Sequence, residues 1–177
     1  MRNMWRAVAV LSALTAGACS ESGGSQQTAQ AGRPAAPAVE SRWLRGLWAN
    51  DIREALGPVG LTCKGPVMEN RTNVWTCVSG TPLVSYKVRF FGIAPGKIDY
   101  INAVVTQSGP AKDALPLRLF EALAGLRFEE ADQAKARTWM RASIATGGAT
   151  SIGPARYKLS GDANRRVLDL KSADSEW

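Results

Sequence analysis

Between Val84 and Phe91 the side chains alternate without a break: Tyr86, Val88 and Phe90 fall on one side, Ser85, Lys87 and Arg89 on the other. A period of two sends successive side chains to opposite faces of a pleated strand, so this segment demands a sheet with one apolar and one polar face. Its neighbours share the bias. Leu61 to Lys64 and Val74 to Ser79 read as short strands around a turn-rich stretch, Gly65 to Asn73, and Pro95-Gly96 turns the chain into a further strand, Lys97 to Thr106. The expectation is a four-strand antiparallel meander.

Helical spacing brackets that meander. Ser41 is a candidate N-cap for a face made by Leu44, Leu47, Trp48, Ile52 and Ala55, which Gly57-Pro58 stops. Asp113 to Leu126 brings Leu119, Phe120, Leu123 and Leu126 into register, with Pro116 inside the first turn. Glu129 to Ile144 predicts another helix, opened by Glu129, Glu130 and Asp132 at the positive end of its dipole and closed by Gly147-Gly148. Tyr157 to Leu159 and Arg165 to Leu170 then read as a C-terminal β-hairpin around Gly161-Asp162-Ala163-Asn164. Helices and strands are segregated rather than alternating, which predicts an α+β domain over residues 41–177: a four-strand meander packed by about three helices, with the hairpin last. No internal repeat is visible in it.

Composition matters for the chemistry it removes. The chain has 177 residues, 22 Lys and Arg against 15 Asp and Glu, a formal charge of +7, three cysteines and no histidine. Without imidazole, Ser-His-Asp and Cys-His nucleophilic sites and His-ligated zinc are excluded, and three cysteines are too few for a Cys₄ site. No metal site and no cofactor are expected. A serine nucleophile would need a lysine base, and the nearest grouping, Tyr157-Lys158 with Ser160, reads better as a solvated strand edge. Among carboxylates, Glu129, Glu130 and Asp132 suit a helix start, and Asp99, alternating with Lys97, is expected to point to water. No calcium loop, phosphate loop or nucleophile elbow occurs. Asn70-Arg71-Thr72 fits the glycosylation acceptor pattern but reads as a polar turn.

The N-terminal segment carries a different signal. Arg2 and Arg6 precede an uncharged run, Ala7 to Ala18, which as a helix would span about 18 Å and fall short of a hydrocarbon core of about 30 Å. This fits a secretory signal, residues 1–18. The run ends Leu14-Thr15-Ala16-Gly17-Ala18-Cys19, and small residues immediately before a cysteine resemble the lipobox of bacterial lipoproteins. Ala16 stands where that family usually has leucine, which leaves ordinary signal-peptidase cleavage as the alternative. The resemblance implies a lipid-acylated Cys19 (palmitate among the chains) as mature N-terminus and a cell-envelope location facing the periplasm. Ser20 after it implies the outer membrane rather than the inner. Residues 19–40 then form a tether: Ser20 to Glu40 holds one aliphatic residue larger than alanine, Val39, and a flexible linker of that length reaches about 25 Å.

With Cys19 assigned to lipid, Cys63 and Cys77 remain, and an oxidising compartment makes them a disulfide. Their spacing of fourteen is not that of a redox Cys-x-x-Cys motif. Basic residues are the one surface feature with binding potential. Lys87 and Arg89 share a strand face, Arg137 and Arg141 a helix face, and Arg156, Lys158, Arg165 and Arg166 crowd the last hairpin. Together they are candidates for anion binding. The expected function is a membrane-anchored, non-enzymatic binding or envelope-assembly module. Its expected partners are the membrane through the lipid anchor and an envelope protein or anionic envelope polymer, not nucleic acid. The alternatives are an inhibitor or immunity lipoprotein and, behind it, a carboxylate- or Lys-based hydrolase.

Overall fold

Strict alternation becomes a strand of eleven residues near the middle of one antiparallel sheet. The computed structural model describes residues 42–108 and 115–175. In chain order the described elements are α1 (Ala49–Leu56), a short 3₁₀ turn (Gly57–Val59), β1 (Thr62–Glu69), β2 (Thr72–Gly80), β3 (Val84–Ala94), β4 (Lys97–Gln107), α2 (Leu115–Ala124), α3 (Gln133–Ser143), β5 (Gly148–Ile152), β6 (Ala155–Gly161) and β7 (Arg165–Ser172). The strands form one sheet in the order β1-β2-β3-β4-β7-β6-β5. Two meanders, β1–β4 and β5–β7, therefore meet through their last strands, with Ile101 opposite Leu170 and Ala103 opposite Leu168.

The α+β class holds, and the details differ in instructive ways. The expected C-terminal hairpin is a three-strand meander, because Gly148–Ile152 pairs along β6, and it extends the first meander instead of standing apart. Gly-Ala-Thr-Ser-Ile has no apolar alternation to announce a strand, and its backbone is held by the partner. The expected turn over residues 65–73 shrinks to Asn70 and Arg71, both at positive φ (48° and 67°), as a tight two-residue hairpin requires. Gly65-Pro66 does not end β1; it forms a bulge, with the register shifting between Lys64 and Val67. Gly65 sits at φ 107°, where a Cβ would lie 2.8 Å from the Val74 carbonyl oxygen.

Two helix starts also move. α1 begins at Ala49, because the Asp51 carboxylate accepts the Trp48 backbone N–H at 2.9 Å; Ser41, the expected cap, lies outside the described residues. Leu44 and Leu47 are still fully buried, held in a turn whose Leu44 N–H donates to the Ile98 carbonyl at 2.9 Å. α3 starts after Asp132, whose carboxylate accepts the Lys135 N–H at 3.0 Å. Glu130 has φ 58° and cannot belong to a helix, while the Glu129 N–H donates to the Arg45 carbonyl.

The helices cover one face of the sheet, called inner here. Ile52, Leu56, Leu119, Phe120, Leu123, Ala136 and Met140 pack in one cluster with Trp75, Val88, Phe90, Ile101, Leu159, Leu168 and Leu170 from that face. Trp75 stacks on Phe90 (5.2 Å), and Trp139 of α3 meets Tyr157 of β6 at 6.0 Å. Each large side chain buried there contributes about 1.5–3 kcal/mol relative to exposure. Burial, aided by the charge of Asp132, pushes the Tyr157 phenol up to about 12. Cys63 and Cys77 face each other across β1 and β2 as a disulfide, Cα–Cα 3.9 Å. Among the described residues no helix is long and apolar enough to cross a membrane. Cys19, the leader over residues 1–18 and the tether over 19–40 lie outside the described residues.

Candidate functional site

The second face of the sheet, called outer here, carries no described helix, and register fixes what stands on it. One row across the strands reads Lys64, Thr76, Arg89, Asn102, Asp169, Lys158. The next reads Val74, Phe91, Tyr100, Lys171, Arg156, Ser151. On the opposite side of the first row, Lys87 lies beside Val104, and Arg165 pairs with Thr106 at the far end. These rows thus hold seven cations against one carboxylate, Asp169, with Glu69 opposite Thr72 on the same face. Glu69 is occupied by Arg89 (2.6 Å), whose guanidinium also lies 5.0 Å from the centre of the Phe91 ring.

Of the sequence-predicted basic residues, the fold brings Lys87, Arg89, Arg156, Lys158 and Arg165 onto this one face. It does not bring the others there. Arg137 and Arg141 belong to α3, in the layer covering the inner face. Arg141 Nε donates to the Glu121 carboxylate of α2, and the Arg137 guanidinium lies against Gly125 so closely that a Cβ there would sit 2.2 Å from it. Arg166 has the parity of the inner face and donates to the carbonyls of Gly161 (2.8 Å) and Ala145, tying the β6–β7 turn to the chain after α3. These three brace the helix side.

Lys171 and Asp169 extend the face into a cleft that sequence reasoning missed. It has a volume of about 470 Å³ and is lined by Arg42, Trp43, Asp99, Tyr100, Asp169 and Lys171, with Ser175 at its margin. Tyr100 donates its phenolic O–H to Asp169 Oδ1, and the Asn102 amide donates to the same oxygen at 2.7 Å. Burial, reinforced by that hydrogen bond and by the charge of Asp169, holds the Tyr100 phenol well above its ordinary range.

Asp99 reaches the cleft because of a bulge. Phe91 pairs with Tyr100 while Gly92 pairs with Ile98, so Asp99 is the extra residue on β4. The expectation that it shares a solvated face with Lys97 fails for that reason: it is half-buried, and its Oδ1 is buried with no hydrogen-bond partner. Burial pushes its carboxyl above the ordinary aspartate value, opposed by the backbone N–H groups of Asp99 and Tyr100 and by Arg42. Asp99 and Tyr100 also line a second cleft of about 320 Å³ with Glu69, Asn70, Thr72 and Phe91. Phe91 of the second cleft stacks on Tyr100, which lines both, at 5.3 Å.

Lys158 and Ser160 share the outer face of β6, Lys158 opposite Asp169 of the cleft, with Tyr157 on the inner face. Glu129 and Glu130 line another hollow of about 200 Å³ with Arg45 and Asp174, which shares Trp43 with the cleft. Among the described residues no group of three or more Cys, Asp or Glu side chains is arranged to hold a metal ion. No family model, no curated protein and no solved structure matches the chain.

Proposed function

We propose that this chain is a lipid-tethered module of the bacterial envelope that binds without catalysing, and that it holds an anionic envelope polymer on the outer face of its sheet. The observation that carries the reading is the gathering of Lys87, Arg89, Arg156, Lys158 and Arg165, with Lys64, on a face that no described helix covers. A low-dielectric sheet with an excess of positive charge concentrates counter-charged ligands and loses its grip as salt rises. The resemblance of residues 1–19 to a lipoprotein leader and lipobox supports such a face working near a membrane surface, since a flexible linker over residues 20–40 would reach about 25 Å.

The test uses the full lipidated chain in detergent micelles with linear polyphosphate as a charge-only probe. Binding should weaken at least tenfold between 50 and 300 mM salt, as flagged by a Debye length that falls to about 8 Å at physiological salt. Replacing Lys87 and Arg156 by Gln should weaken it further, and Arg137→Gln, on the helix side, should leave it unchanged. Equal loss from both sets overturns the assignment of the face. A carboxylate hydrolase is the second reading, favoured by Asp99 and Asp169 lining one cleft with the Asp99 carboxyl raised by burial. It requires turnover of an envelope glycan that Asp99→Asn abolishes.

A further inference from the structure

Across the outer face, the two clefts meet at Asp99 and Tyr100. We infer that they form one groove that takes the sugar rings of an acidic glycan, while the basic rows around it take the acid groups. This inference rests on the anion-binding reading above and names the ligand class for it. The groove and its surroundings differ in chemistry, and that difference carries the argument.

Inside, the groove mixes both signs of charge. Asp99 and Asp169 face Arg42 and Lys171, the Asn102 amide stands beside Asp169, and Glu69 in the smaller cleft is paired with Arg89. A bare polyanion would meet three carboxylates there, and a cation would meet the guanidinium and the ammonium. A hydroxyl donates and accepts at once, so a polyol can use acids, amide and bases together. Aromatic rings supply the apolar half of such a site: Tyr100, common to both clefts, stacks on Phe91 of the smaller one, and Trp43 lines the larger.

A peptide fits less well. The backbone groups of β2, β3, β4 and β7 beneath the groove are committed to the sheet ladder on both sides. Strand addition needs a free edge, and the edge strand β1 touches the groove only at its last residue, Glu69. Side-chain hydrogen bonding is what this surface offers, and linear glycans are bound that way. Two adjoining volumes, about 470 and 320 Å³, make the site elongated, as a chain of rings requires. Beyond the groove, Lys64, Lys87 and Arg156 meet the carboxylates or phosphates that such a chain carries.

The experiment compares three probes on the full lipidated chain in micelles. The first is peptidoglycan strands stripped of peptide, whose rings bear carboxylates. The second is deacylated lipopolysaccharide oligosaccharide, whose rings bear phosphates. The third is linear polyphosphate, which has charge and no ring. At least one glycan should bind more tightly than polyphosphate, and which one does identifies the source of the acid groups. Tyr100→Ala and, separately, Trp43→Ala in the loop before α1 should weaken glycan binding about tenfold and polyphosphate binding less than twofold. Circular dichroism checks that each variant is folded.

Salt-sensitive polyphosphate binding with no preference for either glycan, or glycan binding that both variants leave intact, overturns the groove and leaves the anion-binding face standing. Glycan binding that ignores salt, without polyphosphate binding, supports the groove and overturns the anionic reading. Binding of no probe overturns both.

Discussion

Asp99 would lie in water if β4 kept its alternation through Lys97 and Ile98; the added residue of the bulge turns it toward Arg42 and Tyr100 instead. Half-burial with one orphaned oxygen makes its ionisation costly in the folded state. The sign follows from linkage. A carboxyl raised above the unfolded value of 3.8 binds more protons when folded, so stability declines as pH rises from about that value through the raised one and is flat beyond it. Asp99→Asn removes the decline. The melting temperature of the variant relative to wild type should therefore be higher at pH 7 than at pH 3, and a difference independent of pH would refute the assignment. Asp169, by contrast, receives two donors from its own sheet, Tyr100 and Asn102, and is built as a fixed acceptor.

Elements differ in how openly they declare themselves. Replacing both Cys63 and Cys77 by Ala should cost about 3 kcal/mol, because the bridge closes a loop of fourteen residues in the unfolded chain; denaturant unfolding of oxidised wild type against the double variant measures it. The cysteine pair was legible because the two predicted strands put it side by side, and β3 was legible because nothing interrupts its period of two. β5 was hidden, since its five residues gain their conformation from β6 rather than from apolar alternation. Gly65-Pro66 has the composition of a turn and hides the continuation of β1, because a bulge absorbs both. Leu44 and Leu47 have helical spacing but are buried by a loop, so their period predicts a start for α1 ahead of the true one. The site divides the same way. Local period puts Lys87 with Arg89, whereas their union with Arg156 and Lys158 depends on β4 pairing with β7, across the 57 residues between those strands. The Asp99 bulge is equally non-local, being defined by the partner strand.

At the scale of the whole molecule, two meanders with no visible sequence repeat share one sheet and one core. The inner-face cluster runs without a break from Leu44 to Leu170, so neither half has a hydrophobic interior of its own. Leu168→Ala, at the seam opposite Ala103, should cost about 2–5 kcal/mol and lower a single melting transition. Calorimetry showing two separable transitions would contradict a shared core. The order of strands carries one more implication. β7 is the last of the described strands, yet it occupies an interior place between β4 and β6. A polypeptide still emerging from a ribosome or a translocation pore holds both flanking strands before it holds the piece that joins them. Release before Arg165 would leave two raw borders, so the arrival of β7 is the step that seals the sheet.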